Sequence, residues 1–258
     1  MQPREYEVMA ALEQGHWWYR ALRRRLLKRL EREAHRRGRP LQVFDAGCGT
    51  GGLLQELGRC PEIARAEGCD LHPQALDHAR ARGLAVRRCS VNELDEVPAG
   101  WDVVLSVDVL YHRQVIPERA MAGMAGLLAP GGLLLLNVAA MPGLARRHDQ
   151  RVMGARRFLP DGLRLLAASA GLRTEELTYW NSWLTPPLWL WLRLQRLTAS
   201  GVEGDGDAPS ELTLPPVWLN GSLEKLLELE RRLARLLPLP WGSSLLLAAR
   251  KPMAQEVC

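Results

Sequence analysis

The sequence predicts an α/β fold, a sheet flanked by helices, on three observations. Residues 41–46 are apolar and β-branched with no helical spacing, the mark of a buried strand. Gly47-Cys48-Gly49-Thr50-Gly51-Gly52 follows at once, and residues 53–57 continue as helix. Further apolar runs at 64–70, 84–88, 101–107, 133–138, 172–180 and 245–250 alternate with segments of helical period.

The strand, glycine turn and helix at 41–57 form the opening unit of a nucleotide-binding sheet. Glycines let the backbone turn sharply beside a ligand, and the free N–H groups at a helix start favour anions. Thr50 is the expected N-cap. The hexapeptide also satisfies G-x-G-x-x-G, so spacing alone leaves a dinucleotide open. Asp70 lies about twenty residues beyond the glycines, where an acid in such sheets accepts ribose hydroxyls. The rival role for Asp70 is a cap for the helix that begins at Pro73.

Composition bounds the rest. The 258 residues suffice for one large domain, 47% hydrophobic, with a net charge of +5 that permits anionic partners and selects none. Arginine supplies nearly all the positive charge, the lysines being Lys28, Lys225 and Lys251. The five cysteines (Cys48, Cys60, Cys69, Cys89, Cys258) form no C-x-x-C or Cys/His cluster, so neither zinc nor a disulfide framework is expected. The N-terminus has no apolar core typical of a signal peptide, and a reducing, cytoplasmic setting is expected.

In chain order, residues 4–37 read as helix, broken near Gly15. Trp18, Leu22, Leu26 and Leu30 make an apolar stripe. The other face carries Arg20, Arg23, Arg24, Arg25, Lys28, Arg29 and Arg32. It reads either as a contact for RNA or phospholipid or as a solvated face, and Glu31 and Glu33 favour the second. Residues 73–82 and 117–128 read as helices. Between them a strand at 101–107 ends in Asp108-Val109-Leu110-Tyr111-His112, at the edge where open sheets bind ligands. His112 is the first choice for a general base and His148 the second. Arg146, Arg147, Arg156 and Arg157 around His148 suit an anionic acceptor or, equally, a solvated loop. A helix at 160–170 is closed by Gly171.

Residues 183–197 are rich in Trp and Leu but too short to span a bilayer, which takes about twenty apolar residues. The segment reads first as a lid over the core and second as an interfacial membrane contact. Residues 201–216 are a polar loop. A helix at 220–237 has Leu223, Leu226, Leu227, Glu230 and Leu233 along one face and Glu224, Glu228, Arg231 and Arg235 outward.

The string Asp45-Ala46-Gly47-Cys48-Gly49-Thr50-Gly51 closely resembles the first motif of class I S-adenosylmethionine-dependent methyltransferases. Leu128-Ala129-Pro130-Gly131-Gly132 before an apolar strand is similar to another feature of that family. Trp17-Trp18-Tyr19-Arg20 resembles a segment that precedes the core in one of its groups, as does the His148-Asp149 … Arg156-Arg157-Phe158 stretch. A short-chain dehydrogenase would want a Tyr-x-x-x-Lys pair, which is absent.

The resemblance implies a Rossmann-like seven-stranded mixed sheet in a single domain, residues 1–258. A helical cap (1–38) precedes the core (39–181), and a helical insertion (182–241) precedes a closing antiparallel strand (242–251). It implies S-adenosylmethionine held by Tyr19, Arg20, Asp45, Gly47, Cys48, Gly49, Gly51, Asp70, Leu71, Ser90, Val91, Val107 and Asp108. Tyr111, His148, Arg156 and Arg157 would face the acceptor. Ser90 departs from the family, which commonly has an acid there. The expected reaction moves a methyl group to oxygen or nitrogen of a small or lipid-linked metabolite. The alternatives are an RNA or protein methyltransferase and a non-catalytic S-adenosylmethionine-binding protein. No Asn/Asp-Pro-Pro-aromatic signature for base amines is present, so nucleic acid is not the expected acceptor.

Overall fold

A computed structural model describes residues 3–145, 153–198, 213–234, 236 and 239–253. Its elements are α1 (Pro3–Leu12), α2 (Trp17–Arg37), β1 (Leu41–Ala46), α3 (Gly52–Leu57), β2 (Ile63–Asp70), α4 (Pro73–Ala81), β3 (Val86–Arg88) and β4 (Trp101–Val107). There follow α5 (Pro117–Leu127), β5 (Leu128–Ala139), α6 (Pro160–Ser169), β6 (Arg173–Trp180), α7 (Thr185–Thr198), α8 (Val217–Leu233) and β7 (Ser244–Arg250).

The seven strands form one sheet in the order β3-β2-β1-β4-β5-β7-β6. The first five pair in parallel, and β7 runs antiparallel between β5 and β6. The inner strands are continuous apolar runs because helices cover both faces. Leu134 and Leu136 of β5 belong to the core under α5 and α6, with Phe44, Met121 and Leu163. Leu133 and Leu135, one residue out of phase, belong to the opposite core with Leu22, Leu26 and Leu30 of α2 and Trp180.

The expected break near Gly15 falls between α1 and α2. His16 caps α2, its Nδ1 accepting the Trp18 N–H at 3.3 Å, and Gly38 (φ 65°) ends the helix in the left-handed conformation. Other boundaries shift. β5 begins at Leu128, because Leu128 already pairs with Trp101, and the strand runs on through an irregularity with Gly131 at φ 70°. α8 begins at Val217, and Ala170 rather than Gly171 is the C-cap residue of α6.

Thr50 is not the N-cap of α3. Gly51 holds that position at φ 85°, and the Thr50 hydroxyl instead donates to Glu13 Oε1 at 2.6 Å. Glu13 is buried and also takes Arg82 Nη1, so the threonine is drawn to satisfy a charge rather than the helix start.

Part of the basic face of α2 pairs with the acids of α8. Arg20 and Arg24 pair with Glu224 of α8, Arg25 with Glu230 and Lys28 with Glu228. Glu224 therefore faces inward and is buried, contrary to the expected outward position. Arg235 lies outside the described residues. Glu33 is likewise no solvated charge. Its side chain is wholly buried among Arg29, Arg36, Arg37 and Arg250, which hold its carboxyl down to about 2.

Candidate functional site

A cavity of about 630 Å³ opens over the carboxyl ends of the strands, where the order of a parallel sheet reverses between β1 and β4. Its floor is built from successive strand ends: Asp45, Asp70, Asp108, Ala139, Asn181 and Ser244. α1 and α2 form one wall with Tyr6, Met9, Glu13, Trp18, Tyr19 and Arg23, and Leu184 and Leu188 bring the start of α7 to another.

On the β1–β2 side, Gly47 and Gly49 hold φ of 92° and 55°, which glycine adopts without strain. A Cβ at Gly49 would stand 2.7 Å from Met9 Cε. The N–H groups of Gly47 and Cys48 donate to Cys69 O, both at 2.8 Å, and the Gly49 N–H donates to Asp70 Oδ2 at 3.0 Å. The other oxygen of Asp70 accepts the His72 N–H at 2.9 Å. One carboxylate thus ties the glycine turn to the entry of α4, and the ribose and helix-cap readings of Asp70 meet in one side chain.

Asp45 is 2% exposed, and its Oδ1 has no hydrogen-bond partner. Burial, with Asp70 and Glu13 nearby, pushes its carboxyl up to about 7. A buried acid with an open oxygen on a cavity wall fits a cationic ligand. Leu71, Ser90 and Val91 continue the wall, and Ser90 Oγ accepts the Asn92 N–H at 3.2 Å.

On the β4–β5–β7–β6 side, Asp108 stands at φ 58° and is held by a relay. Trp180 Nε1 donates to Asn137 Oδ1 at 2.8 Å, and Asn137 Nδ2 donates to Asp108 Oδ1 at 3.0 Å. Burial pushes the Asp108 carboxyl up to about 7, against the pull of Asn137 and Arg157. Tyr111 and His112 lie on the cavity wall with ring centroids 4.8 Å apart. Residues 153–158 dock beside them: Ala155 N–H donates to Tyr111 O, Arg156 to Val115 O and Arg157 to Ala140 O. Arg156 and Arg157 line the cavity as expected.

Two expected cofactor residues do not reach the cavity. Arg20 pairs with Glu224 of α8 at 3.2 Å, and Arg23, about one helical turn on, lines the wall instead. Gly51 packs toward Leu84 and Ala79 of the α4 region, so it serves helix packing rather than ligand contact. Tyr19, Cys48, Val107 and the other expected residues line the cavity. His148, Arg146 and Arg147 lie outside the described residues.

Sequence reasoning placed a helix over α1 but missed its part in the cavity, and missed Asn181. The contribution of Tyr6, Met9 and Glu13 depends on how α1 folds back, which no local pattern shows. Asn181 follows β6 at φ 58°, a conformation asparagine tolerates better than most residues. It is 7% exposed, its Nδ2 donates to Ser243 Oγ at 2.8 Å, and its Oδ1 has no hydrogen-bond partner. Among the described residues no cluster of His, Cys, Asp and Glu could hold a metal ion.

A family model for the methyltransferase domain matches residues 17–182. A probable tRNA methyltransferase 9B from Mus musculus is 34% identical over 111 residues, 42% of this chain and 24% of that protein. A ubiquinone biosynthesis O-methyltransferase from Methylocella silvestris is 34% identical over 101 residues, 36% of this chain and 38% of that protein. The matched stretches thus span well under half of those relatives. Geranyl diphosphate C-methyltransferase from Streptomyces coelicolor, solved with S-adenosyl-L-homocysteine, shares the fold. Its TM-score is 0.57 at 18% identity, covering 97% of this chain and 84% of that one. The family model covers more than half of the chain, and this chain belongs to the methyltransferase-domain family.

Proposed function

We propose that the chain is an S-adenosylmethionine-dependent methyltransferase whose acceptor is a small or lipid-linked metabolite methylated on oxygen or nitrogen, with an apolar body lodged beneath α7. One observation carries this reading: the half of the cavity away from the glycine turn combines Leu184 and Leu188 with the open Oδ1 of Asn181. An apolar wall with one fixed, buried hydrogen-bond acceptor suits a molecule that is mostly hydrocarbon or aromatic and presents a hydroxyl or amine.

S-adenosylmethionine supplies a methyl group already activated on a sulfonium, so the chain's task is to bind and align. Asp45 and Asp70 hold the cationic and ribose ends of the cofactor, and Leu71, Ser90 and Val91 its base. Asn181 accepts a hydrogen bond from the acceptor and sets its orientation. His112, on the cavity wall beyond Asp108, takes the proton that an oxygen or nitrogen acceptor loses.

The relatives include both a tRNA and a ubiquinone methyltransferase, so RNA is the alternative acceptor. The sequence feature that supported RNA was the basic face of α2. Part of that face is turned to Glu224, Glu228 and Glu230, which weakens the RNA reading. Labelled S-adenosylmethionine offered with a prenylated catechol, the same catechol without its tail, and an unmodified tRNA transcript tests the choice. Label should enter a catechol, faster with the tail. Label in the tRNA alone would overturn the proposal.

A further inference from the structure

We infer that the outer face of α7 docks on an anionic phospholipid surface. Leu184, Leu188 and Leu192 turn inward: the first two line the cavity and Leu192 is buried. The opposite arc carries Trp189, Leu190, Trp191 and Leu194, exposed at 45%, 54%, 48% and 53%. A surface helix ordinarily shows polar residues there.

The occupant is identified by charge and by residue type. Residues 183–197 contain Arg193 and Arg196 and no acid. The Arg193 guanidinium lies 5.0 Å from the Trp189 ring centroid, so cation and indole form one unit. Tryptophan beside arginine matches the boundary between headgroups and acyl chains, where the ring body is apolar and its N–H meets water. The helix has 14 residues, and no helix of the described residues is long and apolar enough to cross a membrane, so it lies in the surface. A second copy of this chain, with its net charge of +5, would bring like charge to Arg193 and Arg196.

The helix is anchored by its first turn. Glu230 Oε2 accepts the Ser182 and Trp183 N–H groups at 2.8 and 3.0 Å, and Thr185 Oγ1 donates to Asn181 O at 2.7 Å. Lid and lipid contact are thus opposite faces of one helix rather than rival roles. A lipid surface on the outer face would lie one helix diameter from the acceptor end of the cavity.

Co-sedimentation of the full chain with vesicles tests this without any turnover. The parent should sediment with an equal mixture of phosphatidylcholine and phosphatidylglycerol, and much less with phosphatidylcholine alone. Added salt should weaken binding as the charges are screened. Trp189→Ala with Trp191→Ala should bind on the order of tenfold less tightly, since binding scales with buried apolar area. S-adenosylhomocysteine affinity, unchanged in that variant, reports that the fold is intact. Arg193→Glu, a milder surface change, should lose the preference for phosphatidylglycerol. Equal sedimentation of parent and variants, or none by the parent, would overturn the inference. So would a parent that runs as a dimer which the double variant breaks, without vesicle binding.

Discussion

Asp70 and Gly49, twenty-one residues apart, are joined by a 3.0 Å hydrogen bond from the glycine N–H to the carboxylate. The same carboxylate takes the His72 N–H, so removing it frees two backbone donors at once. Asp70→Ala should weaken S-adenosylhomocysteine binding by about 1–3 kcal/mol, the usual cost of stranding partly buried polar groups. Calorimetry checks this. An unchanged dissociation constant would reduce Asp70 to a helix cap.

Asp45 and Asp108 make cofactor binding depend on pH. Both carboxyls are pushed up to about 7 by burial, so between pH 4 and 7 the empty protein holds protons that the unfolded chain releases. Their contribution to stability therefore declines as pH rises through that window and levels off above it. S-adenosylmethionine, which carries a sulfonium as well as an ammonium group, favours the charged acids, so its affinity should climb from pH 5 to 7, by at most about tenfold per unit for each proton displaced. Titration calorimetry in two buffers of different ionisation enthalpy would show protons released on binding. A flat profile would refute the link.

His112→Ala should leave S-adenosylhomocysteine affinity nearly unchanged and lower kcat by about a hundredfold or more, in the range that a general base contributes. The drop should be smaller for an acceptor whose hydroxyl is already ionised. Equal turnover by parent and variant would remove His112 as base.

Glu33 supports the fold far from the cavity. Gln in its place leaves several arginines around an uncharged buried amide, and Glu33→Gln should cost about 3 kcal/mol, as for other broken buried pairs. Because Glu33 ionises at about 2 in the fold and 4.5 unfolded, its contribution is complete above pH 4.5 and is lost as pH falls toward 2. Urea melts at pH 7 and 3 should therefore differ less for Glu33→Gln than for the parent.

The arrangement of strands and the cofactor end of the site were legible in the sequence because both rest on local rules. Periodicity distinguishes strand from helix, and only glycine turns as tightly as Gly47 and Gly49 must. Asp45, Asp70 and Asp108 follow strands β1, β2 and β4 or end them, so their place at the sheet edge follows from the strand assignments. What the chain does with charge was not legible. Arg20, Glu33 and Glu224 each look like solvated surface residues, yet each meets a partner from a distant segment, and no sequence pattern records which face α8 would cover. The acceptor end depended on tertiary structure for the same reason. Asn181 becomes a buried, open hydrogen-bond acceptor only when β7 returns between β5 and β6 and brings Ser243 beside it.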